Sequence, residues 1–236
     1  MKFDNTTSQF EKVTRSHGRW YGDACGAAFA LELVGERWAL LVVRELMLGA
    51  RRFSDIRASL PGLSAKTLTD RLEWLERIGV VERAFLPPPA ASRVYGLTEW
   101  GRGLEDVLQA LGRWAVKSPL HDPTLPFTAV SFLLSLRTMF DSARAGQADL
   151  WVGFAIGAEH YAARVRAGQL TVHRAAVPLA APALRFCAPT AGDFLPVFYG
   201  KRSPEEAGGA LVIEGDPALA QAFIAMFALP EKLAGA

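Results

Sequence analysis

The stretch Ser64-Ala-Lys-Thr-Leu-Thr-Asp-Arg-Leu-Glu-Trp-Leu-Glu-Arg-Ile-Gly79 carries the pattern of one amphipathic helix with defined ends. Ser64 is a residue type that caps helix N-termini, and Gly79 is typical of the position just after a helix. Leu68, Leu72 and Leu75 recur at spacings of four and three residues, so they form one stripe that packs inward. The polar residues of the first turns then face outward. They are Lys66, Thr67, Asp70 and Arg71.

A shorter helix is predicted just before this one, over residues 54–60, and Pro61-Gly62-Leu63 separates the two. Further upstream, helices are predicted over 25–34 and 36–48, ended by Gly35 and Gly49. A helix, a tight turn containing glycine and a second helix with polar residues at its start form the arrangement that places a recognition helix in the DNA major groove.

The residues after Gly79 predict a β-hairpin and then a long helix. Residues 80–86 and 93–97 read as strands, with a proline-stiffened tip at Pro87–Ser92. The hairpin would add a wing to the helix-turn-helix. Thr98 is a suitable N-cap for a helix from Glu99 to about Val116, and a terminal helix of this length often pairs two chains.

The DNA contacts are predicted at polar residues on the recognition helix, on the helix before it and on the hairpin. Such side chains bond phosphates or base edges. The alternative is that these residues are solvated positions on an ordinary helical domain. The predicted DNA-binding residues are Arg52, Ser54, Ser64, Lys66, Thr67, Asp70, Arg71, Arg83 and Arg93.

Five segments in this order resemble the HxlR family of bacterial winged-helix transcriptional regulators, namely residues 36–46, 52–56, 68–72, 79–83 and 95–98. The resemblance runs from about Cys25 to Ala115. It implies a homodimer whose two recognition helices read successive major grooves of double-stranded operator DNA, about one helical turn apart. On matching positions it places Ser64, Lys66, Thr67 and Arg71 on the recognition helix and Arg93 on the wing.

The sequence departs from the family pattern in two places. Gly26 follows Cys25 where the family usually has proline. The hairpin tip, Pro87–Ser92, also has more proline and small residues than is usual in the family.

A proline-rich segment, Lys117–Pro126, predicts a boundary between two domains, because three prolines in ten residues favour extended backbone. The predicted organisation is an N-terminal arm over 1–24, a mainly helical winged-helix domain over 25–117 and a linker over 118–126. An α+β domain over 127–230 and a C-terminal tail over 231–236 complete the chain.

The second domain is predicted to combine a three-stranded antiparallel meander with flanking helices. Apolar residues alternate along its first two strands, and turn residues separate the strands. Ser203-Pro-Glu-Glu206 is a capping box with proline at the first helical position, and Asp216-Pro217 opens another helix. The predicted elements are a helix over 127–140, strands over 150–156, 161–166, 170–173 and 210–213, and the two later helices.

This order of elements resembles the SCP-2 sterol-carrier-like fold, which implies a half-open sheet covered by helices around an apolar cavity. Nine of the 14 phenylalanines follow Pro126. They predict either a pocket for a small hydrophobic effector or a filled core. The predicted pocket residues are Phe127, Phe132, Phe194, Phe198, Phe223 and Phe227.

Two cysteines, Cys25 and Cys187, lie far apart in the sequence and lack metal-ligand spacing, so neither a metal site nor a disulfide framework is expected. Some relatives in the resembled family sense oxidants through a thiol near the position of Cys25. Asp23 is the charged residue close by, which does not lower a thiol pKa. The favoured interpretation of Cys25 is therefore a small residue packed at a helix start, with a redox sensor as the alternative. Cys187 is interpreted as core.

Composition and motifs exclude several classes of protein. Half of the 236 residues are apolar and 21% are charged, which is ordinary for a globular chain, and the net charge is only +2. No apolar stretch reaches the roughly 20 residues of a membrane span, and the N-terminus does not resemble a secretory signal, so a cytoplasmic protein is expected. The motifs of hydrolases, metalloproteases and nucleotide-binding enzymes are absent, so neither catalysis nor a cofactor is predicted.

Two functional hypotheses follow. The first is a dimeric, sequence-specific DNA-binding regulator whose second domain binds an apolar effector or braces the dimer. The alternative is a carrier of lipids or other hydrophobic ligands whose N-terminal domain binds another protein instead of DNA.

Overall fold

The computed structural model describes residues 21–85 and 92–233. Contacts divide the chain into two compact units. The first contains the described residues up to Leu46 together with Ala50–Leu104, and the second contains Met47–Gly49 and the residues from Glu105 onward. The division falls at Leu104, whereas the sequence places the domain boundary in the proline-rich segment. Most of the predicted N-terminal arm and the last three residues of the tail lie outside the described residues.

The first unit is mainly helical with a β-hairpin, as predicted. The helices predicted before the hairpin are confirmed, although the one predicted over 36–48 is shorter. The elements of this unit are α1 (Gly26–Val34), α2 (Ala39–Leu46), α3 (Phe53–Ser59), α4 (Ala65–Arg77), β1 (Val81–Phe85), β2 (Arg93–Leu97) and α5 (Glu99–Arg102). The next helix, α6 (Leu104–Ala115), belongs to the second unit from Glu105 onward.

The helix predicted over 99–116 is interrupted at Gly103 and forms α5 and α6 instead. Glycine is among the poorest helix formers, and this segment has a second glycine at 101. Gly101 lies against the backbone of Val80, so that an added Cβ would be 2.1 Å from the Val80 carbonyl oxygen. The close approach therefore requires glycine at 101. Thr98 caps α5 by accepting a hydrogen bond from the Gly101 amide at 3.0 Å, as predicted.

The hairpin pairs β1 with β2 in antiparallel register, from Val81 opposite Leu97 to Phe85 opposite Arg93. A third segment joins it at Arg51, whose amide donates to the Tyr95 carbonyl at 2.9 Å and whose carbonyl accepts from the Tyr95 amide at 2.8 Å. The hairpin is thus attached to the chain that connects α2 to α3. The predicted tip, apart from Ser92, lies outside the described residues.

A buried ion pair lies beside this attachment. Glu45 near the end of α2 is fully buried, and one carboxylate oxygen accepts a 2.6 Å hydrogen bond from Arg51, which is only 6% exposed. The other oxygen accepts hydrogen bonds from the Arg44 guanidinium at 2.9 and 3.2 Å. Neither Glu45 nor Arg51 was assigned a role from the sequence pattern. The available signal was a carboxylate, next to Arg44, between the apolar run 38–43 and Leu46.

The second unit is an α+β fold, as predicted. Its elements after α6 are α7 (Ala129–Thr138), α8 (Ser142–Ala145), β3 (Leu150–Ile156), β4 (Glu159–Arg166), β5 (Gln169–Ala175), β6 (Leu184–Ala188), a 3₁₀ turn (Ala191–Phe194), α9 (Leu195–Phe198), β7 (Val212–Gly215) and α10 (Pro217–Ala225). The strand order is β5-β4-β3-β6-β7. The antiparallel meander β3-β4-β5 is confirmed, and β6 pairs with β3 in parallel.

Two predictions in this unit are corrected. The Ser203 capping box forms, with the Ser203 amide donating to Glu206 at 2.9 Å and the Glu206 amide donating to Ser203 at 3.2 Å. It starts only a turn, because Gly208 and Gly209 follow with φ of +102° and +73°, which a helix does not permit. The strand predicted over 210–213 is found two residues later, as β7.

The core of the second unit lies between one face of its sheet and the helices. It includes Leu48 of the Met47–Gly49 segment, which is buried there and whose carbonyl accepts a 2.9 Å hydrogen bond from the Arg174 amide. Within residues 21–85 and 92–233, no helix is both long and apolar enough to cross a bilayer.

We expect Glu45→Ala to lower the free energy of unfolding by about 3–5 kcal/mol, because it leaves a buried arginine without its carboxylate. Urea denaturation followed by circular dichroism measures the change. The matched control is Glu73→Ala on the exposed face of α4, which should change stability by no more than about 0.5 kcal/mol. Equal effects of the two substitutions would contradict a structural role for the buried pair.

Candidate nucleic-acid interface

The start of α4 is fixed by its cap. The Ser64 side chain accepts a hydrogen bond from the Thr67 amide at 3.0 Å, and the two hydroxyls lie 2.8 Å apart. Before it, Gly62 has φ of +87°, a conformation that glycine adopts without strain, so the chain turns sharply between α3 and α4. The predicted cap and turn are therefore both present.

The inward face of α4 fixes which side chains point to solvent. Leu68, Leu72 and Leu75 are buried, as predicted, and Trp74 is buried as well. The indole N–H of Trp74 donates to the Leu33 carbonyl at 2.8 Å, which ties α4 to the end of α1. The exposed residues of the helix are Lys66, Thr69, Asp70, Glu73 and Arg77.

Lys66 and Asp70 form an ion pair one turn apart on this exposed face. The ammonium nitrogen lies 2.9 Å from Oδ2, and the side chains are 86% and 49% exposed. Both were predicted as DNA-binding residues, and the structure brings them together. Thr69 lies between them and was not predicted. Its hydroxyl donates to the Ala65 carbonyl at 3.0 Å, and its place on the helical face next to Lys66 was the available signal.

Arg71, also a predicted contact, is held by protein partners. Its guanidinium lies 2.7 Å from the Glu36 carboxylate, donates to the Arg37 carbonyl at 3.2 Å and is only 15% exposed. These bonds connect the middle of α4 to the segment before α2. The side chain therefore helps to orient the helix.

The remaining predicted contacts lie on the surface around α4. Arg52 precedes α3 and is exposed, and Ser54 donates to Asp55 at 3.1 Å. On the hairpin, Arg83 pairs with Glu76 at 2.6 Å, and Arg93 is exposed at the start of β2. The Arg83 guanidinium also lies over the Tyr95 ring, 5.6 Å from its centroid.

The two cysteines have different environments. Cys25 is exposed at the N-terminus of α1, so the interpretation of a packed residue is wrong. Hydrogen bonds from the backbone amides of Ala28 and then Ala27 lower the pKa of its thiol. For Cys187 on β6, burial raises the pKa, and the Glu214 carboxylate acts in the same direction.

The phenylalanines of the second unit form one packed cluster. Phe132, Phe194, Phe198, Phe223 and Phe227 are each fully buried. Ring centroids lie 4.7 Å apart for Phe132 and Phe194, and 5.1 Å apart for Phe223 and Phe227. Phe127 is partly buried against the same core. These residues fill the interior, which was the alternative to a ligand pocket.

No group of three or more metal-ligating side chains is found among residues 21–85 and 92–233.

Comparison with known proteins identifies the family of the first unit. A family model described as HxlR-like helix-turn-helix matches residues 33–121, which include α4 and the hairpin. YvaP of Bacillus subtilis (strain 168), an uncharacterised HTH-type transcriptional regulator, is 39% identical over 88 residues, or 37% of this chain and 82% of YvaP. This chain belongs to the HxlR-like helix-turn-helix family.

A second relative, the HTH-type transcriptional regulator YodB of Bacillus subtilis (strain 168), is 41% identical over 86 residues, which cover 36% of this chain and 77% of YodB. Among solved structures, the reduced form of YodB from B. subtilis is 36% identical to this chain. The matched region covers 42% of this chain and 100% of the YodB chain, and the two superpose with a TM-score of 0.38. These relatives are transcriptional regulators, not enzymes.

We expect iodoacetamide to modify Cys25 at least about tenfold faster than Cys187 near neutral pH, since the thiolate is the reactive form and its pKa is lowered only at Cys25. As pH rises, the rate at Cys25 should also reach its plateau first. Mass spectrometry of the labelled peptides over time measures both rates. In urea the two rates should converge, and equal rates in the folded protein would contradict the assigned environments.

Proposed function

We propose that this protein is a dimeric, sequence-specific DNA-binding transcriptional regulator. The observation that carries the proposal is the exposed polar face at the start of α4, held in a fixed orientation by the Ser64 cap, the buried leucines and the Arg71 bonds. Membership of a family of HTH-type regulators supports it. In this proposal α4 enters the major groove and the hairpin lies against the flanking backbone.

The predicted contacts divide by their place in the first unit and by their partners. Lys66, Thr67 and Asp70 are assigned to base edges, where hydrogen-bonding side chains give sequence specificity. Phosphate contacts are assigned to exposed residues on and around the helix and hairpin, and these contacts set position and salt dependence. The assigned phosphate contacts are Arg52, Ser54, Ser64, Arg83 and Arg93. Arg71 is assigned to positioning, because its bonds to Glu36 and Arg37 already occupy its guanidinium.

We expect the purified protein to bind a fragment from upstream of its own gene or a neighbouring gene more tightly than an unrelated fragment, at several salt concentrations. Lys66→Ala should weaken specific binding by about 1–3 kcal/mol, whereas Arg93→Ala should weaken binding to both fragments and reduce the salt slope by about one. Fluorescence anisotropy titrations measure these effects.

The control for this experiment is Arg166→Ala, which removes an exposed arginine from the second unit and should leave both affinities unchanged. Equal, weak binding of the wild-type protein to every fragment would count against a regulator and favour the carrier hypothesis.

A homodimer is supported by the surface of α6. Val107, Leu111 and Trp114 follow one another at spacings of four and three residues and are 46%, 45% and 76% exposed, so they form one apolar stripe along the helix. Exposing such a stripe to water is unfavourable, and a second copy of the helix would cover it. The opposite side of α6 is held within the second unit by the Arg137–Glu105 ion pair at 2.7 Å.

We expect Leu111→Glu to convert the dimer into a monomer, because the substitution buries a charge in the interface. Sedimentation equilibrium of the full chain measures the mass. The matched control is Gln169→Glu, which adds one negative charge at an exposed position of β5 and should leave the dimer intact. A monomeric wild-type protein would overturn the dimer.

For the second unit we favour a role in bracing the dimer over binding an effector, since it contributes the stripe on α6 and its phenylalanines pack against one another. A small apolar effector would have to displace these rings. The meander and the helix opened by Asp216-Pro217 support a relation to SCP-2-like folds.

A second candidate function is a response to oxidants at Cys25. The exposed thiol and its lowered pKa favour it. In that case oxidation should change DNA affinity in the wild-type protein and not in Cys25→Ser.

A further inference from the structure

We propose that Lys66 and Asp70 act as one unit that reads a single G·C base pair in the major groove. The Lys66 ammonium donates to guanine, and the Asp70 carboxylate accepts from the amino group of cytosine. This inference rests on the proposed insertion of α4 into the major groove, and it assigns the base pair that the helix would select.

Neighbouring polar side chains on α4 are already engaged within the protein. Ser64 and Thr67 bond each other at the cap, Thr69 bonds the backbone of Ala65, and Arg71 bonds the segment before α2. Lys66 and Asp70, in contrast, are held by an ion pair between two solvent-exposed side chains. Such a pair contributes little to stability, so its donor and acceptor can turn to DNA at small cost.

The geometry of the pair matches the edge of a G·C pair. The Lys66 nitrogen and the Asp70 oxygen lie 2.9 Å apart, so the helix presents a donor directly beside an acceptor. In the major groove guanine offers two acceptors, N7 and O6, and cytosine offers the N4 donor next to them. The guanine O6 and the cytosine N4 are themselves hydrogen-bonded, at roughly the same separation as the two protein atoms. The Lys66 ammonium can therefore donate to the guanine O6 while the Asp70 carboxylate accepts from the cytosine N4, because the two pairs of atoms have a similar spacing.

An A·T pair fits this arrangement less well. It also offers a donor beside an acceptor, but next to the thymine O4 acceptor lies a methyl group instead of a second acceptor. The ammonium would lose one of its two bonds there. The carboxylate adds discrimination of its own, because it is repelled by phosphates and is costly in the groove unless an amino group donates to it.

Selection of the full-length protein on a library of randomised double-stranded DNA tests the inference. We expect the wild-type protein to enrich G·C at one position of each half-site, with a preference of roughly 5- to 150-fold over A·T there. Lys66→Ala and Asp70→Asn should each reduce that preference to less than about threefold while the other selected positions are retained.

The matched control is Glu73→Gln, which neutralises another exposed carboxylate on α4, three residues further along, and should leave every position unchanged. If both variants keep the wild-type preference at all positions, the paired reading is wrong while the DNA-binding function stands. If the wild-type protein enriches no sequence, the proposed function and this inference both fail.

Discussion

The carboxylate of Glu45 is the constraint on which the architecture of the first unit depends. It is fully buried and bonded to two arginines, and one of them, Arg51, has its backbone paired to Tyr95 of the hairpin. A buried carboxylate is stable only when its partners remain in place, so this ion pair fixes where the α2–α3 connection lies. The hairpin takes its position from that connection. A charge placed in the interior thus determines the site of the wing, although the wing itself is a local hairpin.

The orientation of the recognition helix has a similar cause. Its apolar stripe allows the helix to rotate or slide by small amounts on its neighbours, since hydrophobic contact is not directional. Two directional bonds remove that freedom, one from Trp74 to the Leu33 carbonyl and one from Arg71 to Glu36. Because base contacts require placement to within a fraction of an ångström, these two bonds would matter for the proposed reading of DNA without contacting it themselves. They leave Lys66 and Asp70 as the pair with the most freedom to meet a base.

The HxlR-like family model matches residues 33–121, so most of the second unit lies outside that match. Its aromatic rings form a continuous interior under the sheet, and the apolar stripe of α6 is exposed to solvent. Close-packed interiors have low compressibility, so this core suits the role of bracing the dimer that is proposed for the unit.

The sequence by itself determined the elements whose signals are local. The cap at Ser64, the turn at Gly62, the stripe of Leu68, Leu72 and Leu75, and the alternating strands of the meander all depend on residues within one or two turns of each other. For this reason the winged helix, the α+β class of the second unit and the outward polar face of α4 could be predicted.

Only the tertiary structure decided the features that join distant residues. The interruption at Gly103 accompanies the approach of Gly101 to Val80, and the parallel pairing of β6 with β3 joins strands about 30 residues apart. The structure likewise bonds Arg71, a predicted DNA contact, to Glu36, and it exposes the Cys25 thiol to solvent. The physical reason is the same in each case. A side chain's role follows from its burial and its partners, and these come from contacts across the fold that no local pattern of residues encodes.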